Sequence, residues 1–213
     1  METVNSQVAQ RILLSNVSWE TYERLLADHL DSSVPHFTYD RGLLEIVSPN
    51  PEHEKTNRTI NLFIEVVAEE LGLDTENLGS TTFRREDLKR GFEPDSSFYI
   101  QNEGRIRGKT RLNLTVDPPP DLVVEIGITS PSLDKFPIYA RIGVPEVWLY
   151  DGKRVAIFKL EGEDYAEASE SSTLPSVSNE ILSSFVEESK VLGRVTWLRR
   201  VRGWARKRTE PAP

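Results

Sequence analysis

The sequence predicts an α/β (α+β) fold in which helices flank a central mixed β-sheet. Two stretches near the start of the chain carry apolar residues at helical spacing. Later stretches carry short apolar runs bounded by Gly, Pro and Asp, which is typical of strands. One of these runs is followed by a short helical segment and then by another apolar run, and this order indicates a strand–helix–strand crossover.

The first half of the chain begins with a helix and a hairpin. Ser18 is suited to cap a helix whose apolar positions begin at Trp19 and Tyr22. Residues 37–47, FTYDRGLLEIV, then predict a hairpin with Gly42 in its turn.

The clearest helix of the sequence lies between Asn50 and Gly72. Asn50 can cap its start, Pro51 suits the first turn, and Gly72 can end it in a left-handed conformation. A continuous apolar stripe predicts the face that packs on the sheet: Ile60, Phe63, Ile64, Val67 and Leu71.

The second half alternates strands with short helices. The predicted order is strands at 80–83, from Asp95 to 100 and at 121–126, a helix at 133–143, a hairpin, and further helices up to residue 208. The sequence has no visible repeat or internal boundary. We therefore expect one domain over residues 1–213, with a core at about 18–168 and a basic helical tail at about 179–208.

Composition limits the function classes. The chain has no cysteine, which excludes disulfides and thiolate metal sites, and no apolar run long enough to span a membrane. A cytoplasmic protein is the expectation. The net charge of −8 argues against a non-specific coat on nucleic acid, although residues 194–208 contain seven cations and no acid. That basic tail suits phosphates or the acidic face of another copy, and its tryptophans suit docking on the body.

Glu125 is the residue that points to chemistry, because it lies in the buried run LVVEI, where an uncompensated carboxylate is costly. Asp121 shares its face, but at about 3.3 Å per residue it lies about 13 Å away and cannot hold the same ion. Asp95, at the start of another predicted strand, is the better partner. Two such oxygen ligands suit Mg²⁺.

Lys135 lies near the start of a helix, where the helix dipole disfavours a cation, so a functional reason for this lysine is worth considering. It could orient an attacking water or stabilise developing negative charge. A structural alternative stays open, in which Lys135 forms an internal ion pair with Glu125. Asp95 likewise has an alternative role at the start of a strand, bonding nearby amides.

The chain also resembles a known family. The step Pro94-Asp95, followed thirty positions later by Glu125 in VVEIG, is similar to the PD-(D/E)XK nuclease superfamily. More narrowly, the chain resembles the Uma-type restriction endonuclease family, long described as a domain of unknown function. The matching stretches occur in the expected order over most of residues 37 to 205: LLEIVSPNPEHE, LGSTTFRREDLKRGFEPDSSFYI, DPPPDLVVEI, TSPSLDKFPIYARIGVPEVWLYDG and the tryptophan-containing tail.

This resemblance implies a restriction-endonuclease-like core and a metal-dependent DNA endonuclease, using Mg²⁺ with Mn²⁺ as a substitute. Asp95 and Glu125 would be the metal ligands, with the Ile126 carbonyl as a third oxygen. Glu45 and His53 fall where the superfamily places an accessory acid and a supporting polar group. Symmetric cleavage of two strands would favour a homodimer.

The sequence departs from the superfamily at one position. Gly127 occupies the site two residues after Glu125, where the superfamily has its lysine. Either Lys135 replaces that lysine from the adjoining helix, or the chain is a catalytically inactive nuclease-fold module that binds nucleic acid or protein. A third reading is a metal-dependent hydrolase of a smaller phosphate ester.

Overall fold

The computed structural model describes residues 10–30, 32, 34–127 and 133–209, so both ends of the predicted domain lie outside the described residues. The fold is mixed α/β, as predicted. Its strands are β1 (Gln10–Leu14), β2 (His36–Asp40), β3 (Leu43–Ser48), β4 (Glu76–Asn77), β5 (Phe83–Arg85), β6 (Arg90–Phe92), β7 (Ser96–Tyr99), β8 (Leu122–Ile126), β9 (Glu146–Tyr150), β10 (Val155–Glu161) and β11 (Asp164–Ala168). Its α-helices are α1 (Trp19–Asp28), α2 (Pro51–Leu71), α3 (Glu103–Ile106), α4 (Phe136–Ile142), α5 (Asn179–Val191) and α6 (Arg194–Thr209).

A six-stranded mixed sheet forms the centre, in the order β11-β10-β9-β8-β7-β4. Strands β8 and β9 are parallel, and the other neighbours in this sheet are antiparallel. Parallel neighbours need a crossover connection, and α4 lies between these two strands in the chain. The predicted strand–helix–strand unit is therefore confirmed.

A second, antiparallel sheet has the order β1-β3-β2-β6-β5, and the predicted hairpin of β2 and β3 belongs to it. The hairpin turn contains Arg41 and Gly42, both with positive φ, which matches the twist of the flanking strands. The sequence did not predict this separate sheet. Apolar alternation identifies strands, but it does not say which of them pair.

The predicted helix ends are confirmed by their capping bonds. The Ser18 hydroxyl accepts a hydrogen bond from the Thr21 amide, and the Asn50 side chain accepts one from the His53 amide. Gly72 ends α2 with a φ of 69°. These local contacts fix where α2 begins, and its first two turns reach the start of β7.

The two faces of β8 are buried against different layers. Leu122, Val124 and Ile126 pack in a core with α2, α5 and α6, whereas Val123 packs in a second core with α4 and the smaller sheet. Glu125 shares the face of Val123 because side chains alternate along a strand. The carboxylate therefore points into the layer between the central sheet and α4.

The C-terminal helix docks on the body through its apolar residues, as the sequence predicts. Trp197, Val201 and Ala205 are buried in the core shared with α2 and α5. On the outer side of α6, Arg202 and Arg206 form ion pairs with Glu70 of α2. Part of the basic tail thus holds the helix in place.

No helix among the described residues is both long and apolar enough to cross a membrane. The expected cytoplasmic location stays a prediction.

Docking of α6 can be tested by removing its central side chain. Trp197 is 3% exposed and its indole N–H donates to the Phe185 carbonyl at 2.7 Å. We expect Trp197→Ala to lower the free energy of unfolding by about 3–5 kcal/mol, since it leaves a cavity and removes a hydrogen bond that links α6 to α5. Urea denaturation followed by circular dichroism measures this change.

The matched control is Val195→Ala in the same helix, because Val195 is 63% exposed. It should change the free energy of unfolding by less than about 0.5 kcal/mol. Equal effects of the two substitutions would show that α6 is not docked as described.

Candidate active site

Asp95 and Glu125 meet where β7 begins and the antiparallel β8 ends. In the antiparallel pair, Ser96 lies opposite Val124, so extending the register by one residue places Asp95 opposite Glu125. Residues directly opposite each other share a face, with Cβ atoms about 4.5–5.5 Å apart. The Ile126 amide donates to Asp95 Oδ2 at 2.7 Å and fixes the carboxylate beside β8.

Two histidines from other elements surround Asp95. His53 Nε2 of α2 lies 3.1 Å from Oδ2, and His36 Nδ1 of β2 lies 3.5 Å from Oδ1. One turn further along α2, Asn57 donates to the Asp95 carbonyl at 2.9 Å. Burial alone would raise the pKa of Asp95, but the hydrogen bonds of His36 and His53 and the charges of His53 and Lys135 lower it below its ordinary value. Asp95 is therefore held as a carboxylate.

Glu125 is held from the opposite side by α4. Lys135 Nζ donates to Oε2 at 2.8 Å, and the Tyr139 hydroxyl donates to Oε1. Lys135 and Tyr139 are four residues apart and so lie on one face of the helix. Burial raises the pKa of Glu125 and the charge of Asp95 raises it further, while Lys135 offsets part of this increase.

Lys135 remains protonated despite its burial. Desolvation lowers the pKa of this ammonium, but the carboxylates of Glu125, Asp95 and Glu45 raise it above its ordinary value overall. Since three acids face one lysine, the ammonium compensates the negative charge of the cluster. This arrangement matches both sequence readings of Lys135, because an internal ion pair and a positioned catalytic ammonium use the same contact.

Glu45 contributes the third carboxylate from β3. It is 1% exposed, and Oε1 accepts a hydrogen bond from the Leu133 amide at 3.0 Å, with Arg11 Nε 3.8 Å away. Its other oxygen, Oε2, has no hydrogen-bond partner among the described residues. A buried carboxylate oxygen without a donor is costly, and this favours a ligand at this point.

The structure thus brings together Asp95, Glu125 and Lys135, with Glu45 and His53 around them. Ile126 enters through its amide, a contact that the sequence did not predict, and the ligand role of its carbonyl stays a prediction. The roles of all six residues are taken up below as a proposal.

Asp121, the substitute for Asp95 in the sequence analysis, has a structural role. Its carboxylate accepts hydrogen bonds from the amides of Ile100 and Asn102 at 2.7 and 2.9 Å. These bonds order the chain immediately after β7. Asp121 therefore does not take the place of Asp95.

Sequence reasoning missed Tyr139 and His36. Tyr139 could have been predicted once Lys135 was a candidate, because it lies one helical turn later on the same face of the helix. His36 offered none, because it reaches Asp95 only through the pairing of β2 with β6, which the sequence did not reveal.

Gly127, two residues after Glu125, lies in a confined position. A Cβ at Gly127 would lie 3.2 Å from Leu149 Cδ1 and 3.6 Å from the Tyr150 carbonyl oxygen. A larger side chain there requires Leu149 to shift. An ammonium supplied by Lys135 avoids this crowded position.

The donor set fits a hard divalent cation. Asp95 and Glu125 offer carboxylate oxygens side by side, and Mg²⁺ takes one or two protein carboxylates while keeping several waters. No group of three or more His, Cys, Asp or Glu side chains arranged to hold an ion occurs in the described ranges. Among the described residues, the opposed carboxylates of Asp95 and Glu125 are therefore the pair that would hold it.

A mixed sheet flanked by helices, with two carboxylates and a lysine converging at the end of two central strands, is a restriction-endonuclease-like arrangement. Residues 19–187 match the model of the Uma2 family, described as "Putative restriction endonuclease". The match covers more than half of the chain, and the protein belongs to this family. The resemblance seen in the sequence is confirmed.

A solved structure shows the same fold. It is a protein from Anabaena variabilis ATCC 29413, described as a "putative nuclease belonging to DUF820", with 16% sequence identity and a TM-score of 0.53. The similarity covers 80% of this chain and 99% of that one. No curated protein matched the sequence.

The contact between His53 and Asp95 predicts a pH-dependent contribution to stability. Burial lowers the pKa of His53, but the Asp95 hydrogen bond and charge raise it above 6.5 overall. Protonated His53 thus stabilises the fold fully below the unfolded-state pKa, and this contribution is lost as the pH rises through the folded-state pKa. We expect His53→Gln to reduce the free energy of unfolding more at pH 6 than at pH 9.

Urea denaturation at the two pH values measures this difference, and an NMR titration of the imidazole gives the pKa directly. His29→Gln reports the effect of removing a histidine that lies outside the site. An imidazole pKa of His53 below 6.5 would contradict the assigned contact.

Proposed function

We propose that this protein is a metal-dependent endonuclease that hydrolyses phosphodiester bonds in DNA. The observation that carries the proposal is the convergence of Asp95 and Glu125, with the Lys135 ammonium 2.8 Å from the second carboxylate. The family description supports it. Cleavage of both strands at one site would be served by a homodimer, which is part of the proposal.

Asp95 and Glu125 would hold Mg²⁺ or Mn²⁺, with the Ile126 carbonyl as a further ligand. An ion held there would supply Lewis-acid chemistry to the scissile phosphate and offset its charge. The chain's own residues orient these groups: the Ile126 amide and His53 fix the carboxylate of Asp95, and Tyr139 fixes that of Glu125.

Lys135 has the positioning role. As a protonated amine it donates hydrogen bonds, so it can orient the oxygen of an attacking water and stabilise the negative charge that develops on the phosphoryl oxygens. Glu45 helps to keep this amine protonated, and its unpartnered Oε2 is an acceptor within the same cluster.

The carboxylates can be tested by amide substitution, which keeps shape and removes charge. We expect Asp95→Asn and Glu125→Gln each to abolish nicking of plasmid DNA in Mg²⁺ or Mn²⁺, because each replaces a negatively charged carboxylate ligand with a neutral amide. EDTA should abolish nicking by the unchanged protein. Gel electrophoresis of supercoiled plasmid is the measurement.

Glu163→Gln is the control for the amide substitution, since Glu163 has a side chain 87% exposed and lies outside the site. It should nick DNA like the unchanged protein. Metal-dependent nicking that persists in both site variants, with folding verified by circular dichroism, would exclude this assignment.

The substitution Lys135→Met distinguishes a catalytic role of this lysine from a purely structural role. If Lys135 orients the reacting groups, cleavage should fall on the order of 100-fold or more, as when one stabilising donor is removed. Mn²⁺ binding, measured by isothermal titration calorimetry, should persist, because the ligand oxygens remain and lose a competing cation. Unchanged cleavage in this variant would assign Lys135 to the ion pair alone.

A second candidate is the catalytically inactive module that binds nucleic acid or protein. It is favoured by one observation: both oxygens of Glu125 already accept hydrogen bonds from α4. Retention of DNA in EDTA without nicking in any metal would support this candidate. Turnover of a small model phosphodiester but not of DNA would support the hydrolase of smaller esters.

A further inference from the structure

A groove of about 630 Å³ runs between the first turns of α2 and the junction of α5 and α6. We call it the basic groove. Four cations line it, Lys55 and Arg58 on one side and Lys190 and Arg194 on the other. Partly buried Leu62 and Leu192 add apolar surface to the lining.

Internal ion pairs neutralise only part of the positive charge of the basic groove. Lys55 and Arg194 form no ion pair with any described residue, and Arg58 is 81% exposed with Glu54 3.8 Å away. Lys190 is paired with Glu187 at 2.5 Å, so Lys55 and Arg194 are the two groove cations that no described acid balances. By contrast, Arg202 and Arg206 of the same C-terminal helix are paired with Glu70 and serve docking.

This concentration of positive charge is unusual in a chain with a net charge of −8. Four cations line the groove together with one acid, Glu54, and a second acid, Glu187, lies beside Lys190. These exposed like charges lie outside the apolar core shared by α2, α5 and α6, so they contribute little to the packing of the helices. An anionic ligand would give them a role that folding does not require.

The groove lies next to the candidate active site, on the other side of one helix. In α2, His53 and Asn57 face Asp95, while Lys55 and Arg58 face the groove. A helix with its side chains is about 10–12 Å across, so a strand in the groove would pass within about that distance of the site.

We propose that the basic groove binds the sugar–phosphate backbone of the nucleic-acid substrate, away from the bond that is cleaved. Two walls of cations match the phosphates, and the apolar lining matches the faces of the sugars. The inference rests on the proposed nuclease function. An acidic peptide or the acidic face of a second copy would be recognised by charge as well, and the experiment separates these ligands.

The test is binding of a fluorescent DNA duplex, measured by anisotropy in EDTA over a series of salt concentrations. The groove variant replaces Lys55, Arg58, Lys190 and Arg194 with Gln. Its affinity should fall at least tenfold, and the slope of log K against log salt should shrink by about 3 to 4, since each lost phosphate contact contributes about 0.9.

A matched variant replaces four exposed cations outside the groove, Arg24, Arg105, Arg111 and Lys153, with Gln. It loses the same net charge and should bind within about twofold of the unchanged protein, apart from a weak long-range effect. Equal losses in the two variants, or no binding of duplex by the unchanged protein, would overturn the proposal. So would a groove variant that binds duplex normally but loses poly-glutamate binding or self-association.

The outcome of this experiment does not depend on the nuclease proposal, because the binding assay contains no divalent metal and does not measure cleavage. Salt-dependent binding through the groove, together with the absence of nicking, would support the groove proposal and contradict the nuclease proposal. Metal-dependent nicking with an unchanged salt slope in the groove variant would support the nuclease proposal and contradict the groove proposal.

Discussion

The structure depends on placing two carboxylates opposite each other at the buried ends of β7 and β8. Two negative charges on directly opposed side chains repel strongly once water is excluded, so each must be compensated from nearby. Asp95 is compensated by histidines of α2 and β2, and Glu125 by Lys135 before α4. The charge cluster therefore ties both sheets and two helices to one point.

Stability alone gives no reason to keep such a cluster. Apolar residues of similar size at the ends of β7 and β8 would pack without desolvating any charge, and replacing buried ion pairs in this way is often neutral or stabilising. The unpartnered oxygen of Glu45 adds a further cost. The proposed cation and phosphate would give a functional reason to retain three buried acids around one lysine.

The sequence predicted what depends on local patterns. Caps at Ser18 and Asn50, the hairpin turn at Gly42 and the α4 crossover follow from neighbouring residues, and Glu125 was identified because a charge interrupts an apolar run. What it did not predict depends on pairing between distant segments. The second sheet and the reach of His36 to Asp95 both require β2 to lie beside β6, which no local pattern specifies.

Helix α2 links the two proposals physically. Its 3.6-residue period places His53 and Asn57 on the Asp95 side and Lys55 and Arg58 on the groove side, within the same two turns. A backbone bound along the groove side would therefore contact the same rigid segment that orients the candidate metal ligand. Because α2 is capped at Asn50 and packed along its length in the core, the distance between groove and site is fixed by the fold rather than by a loop.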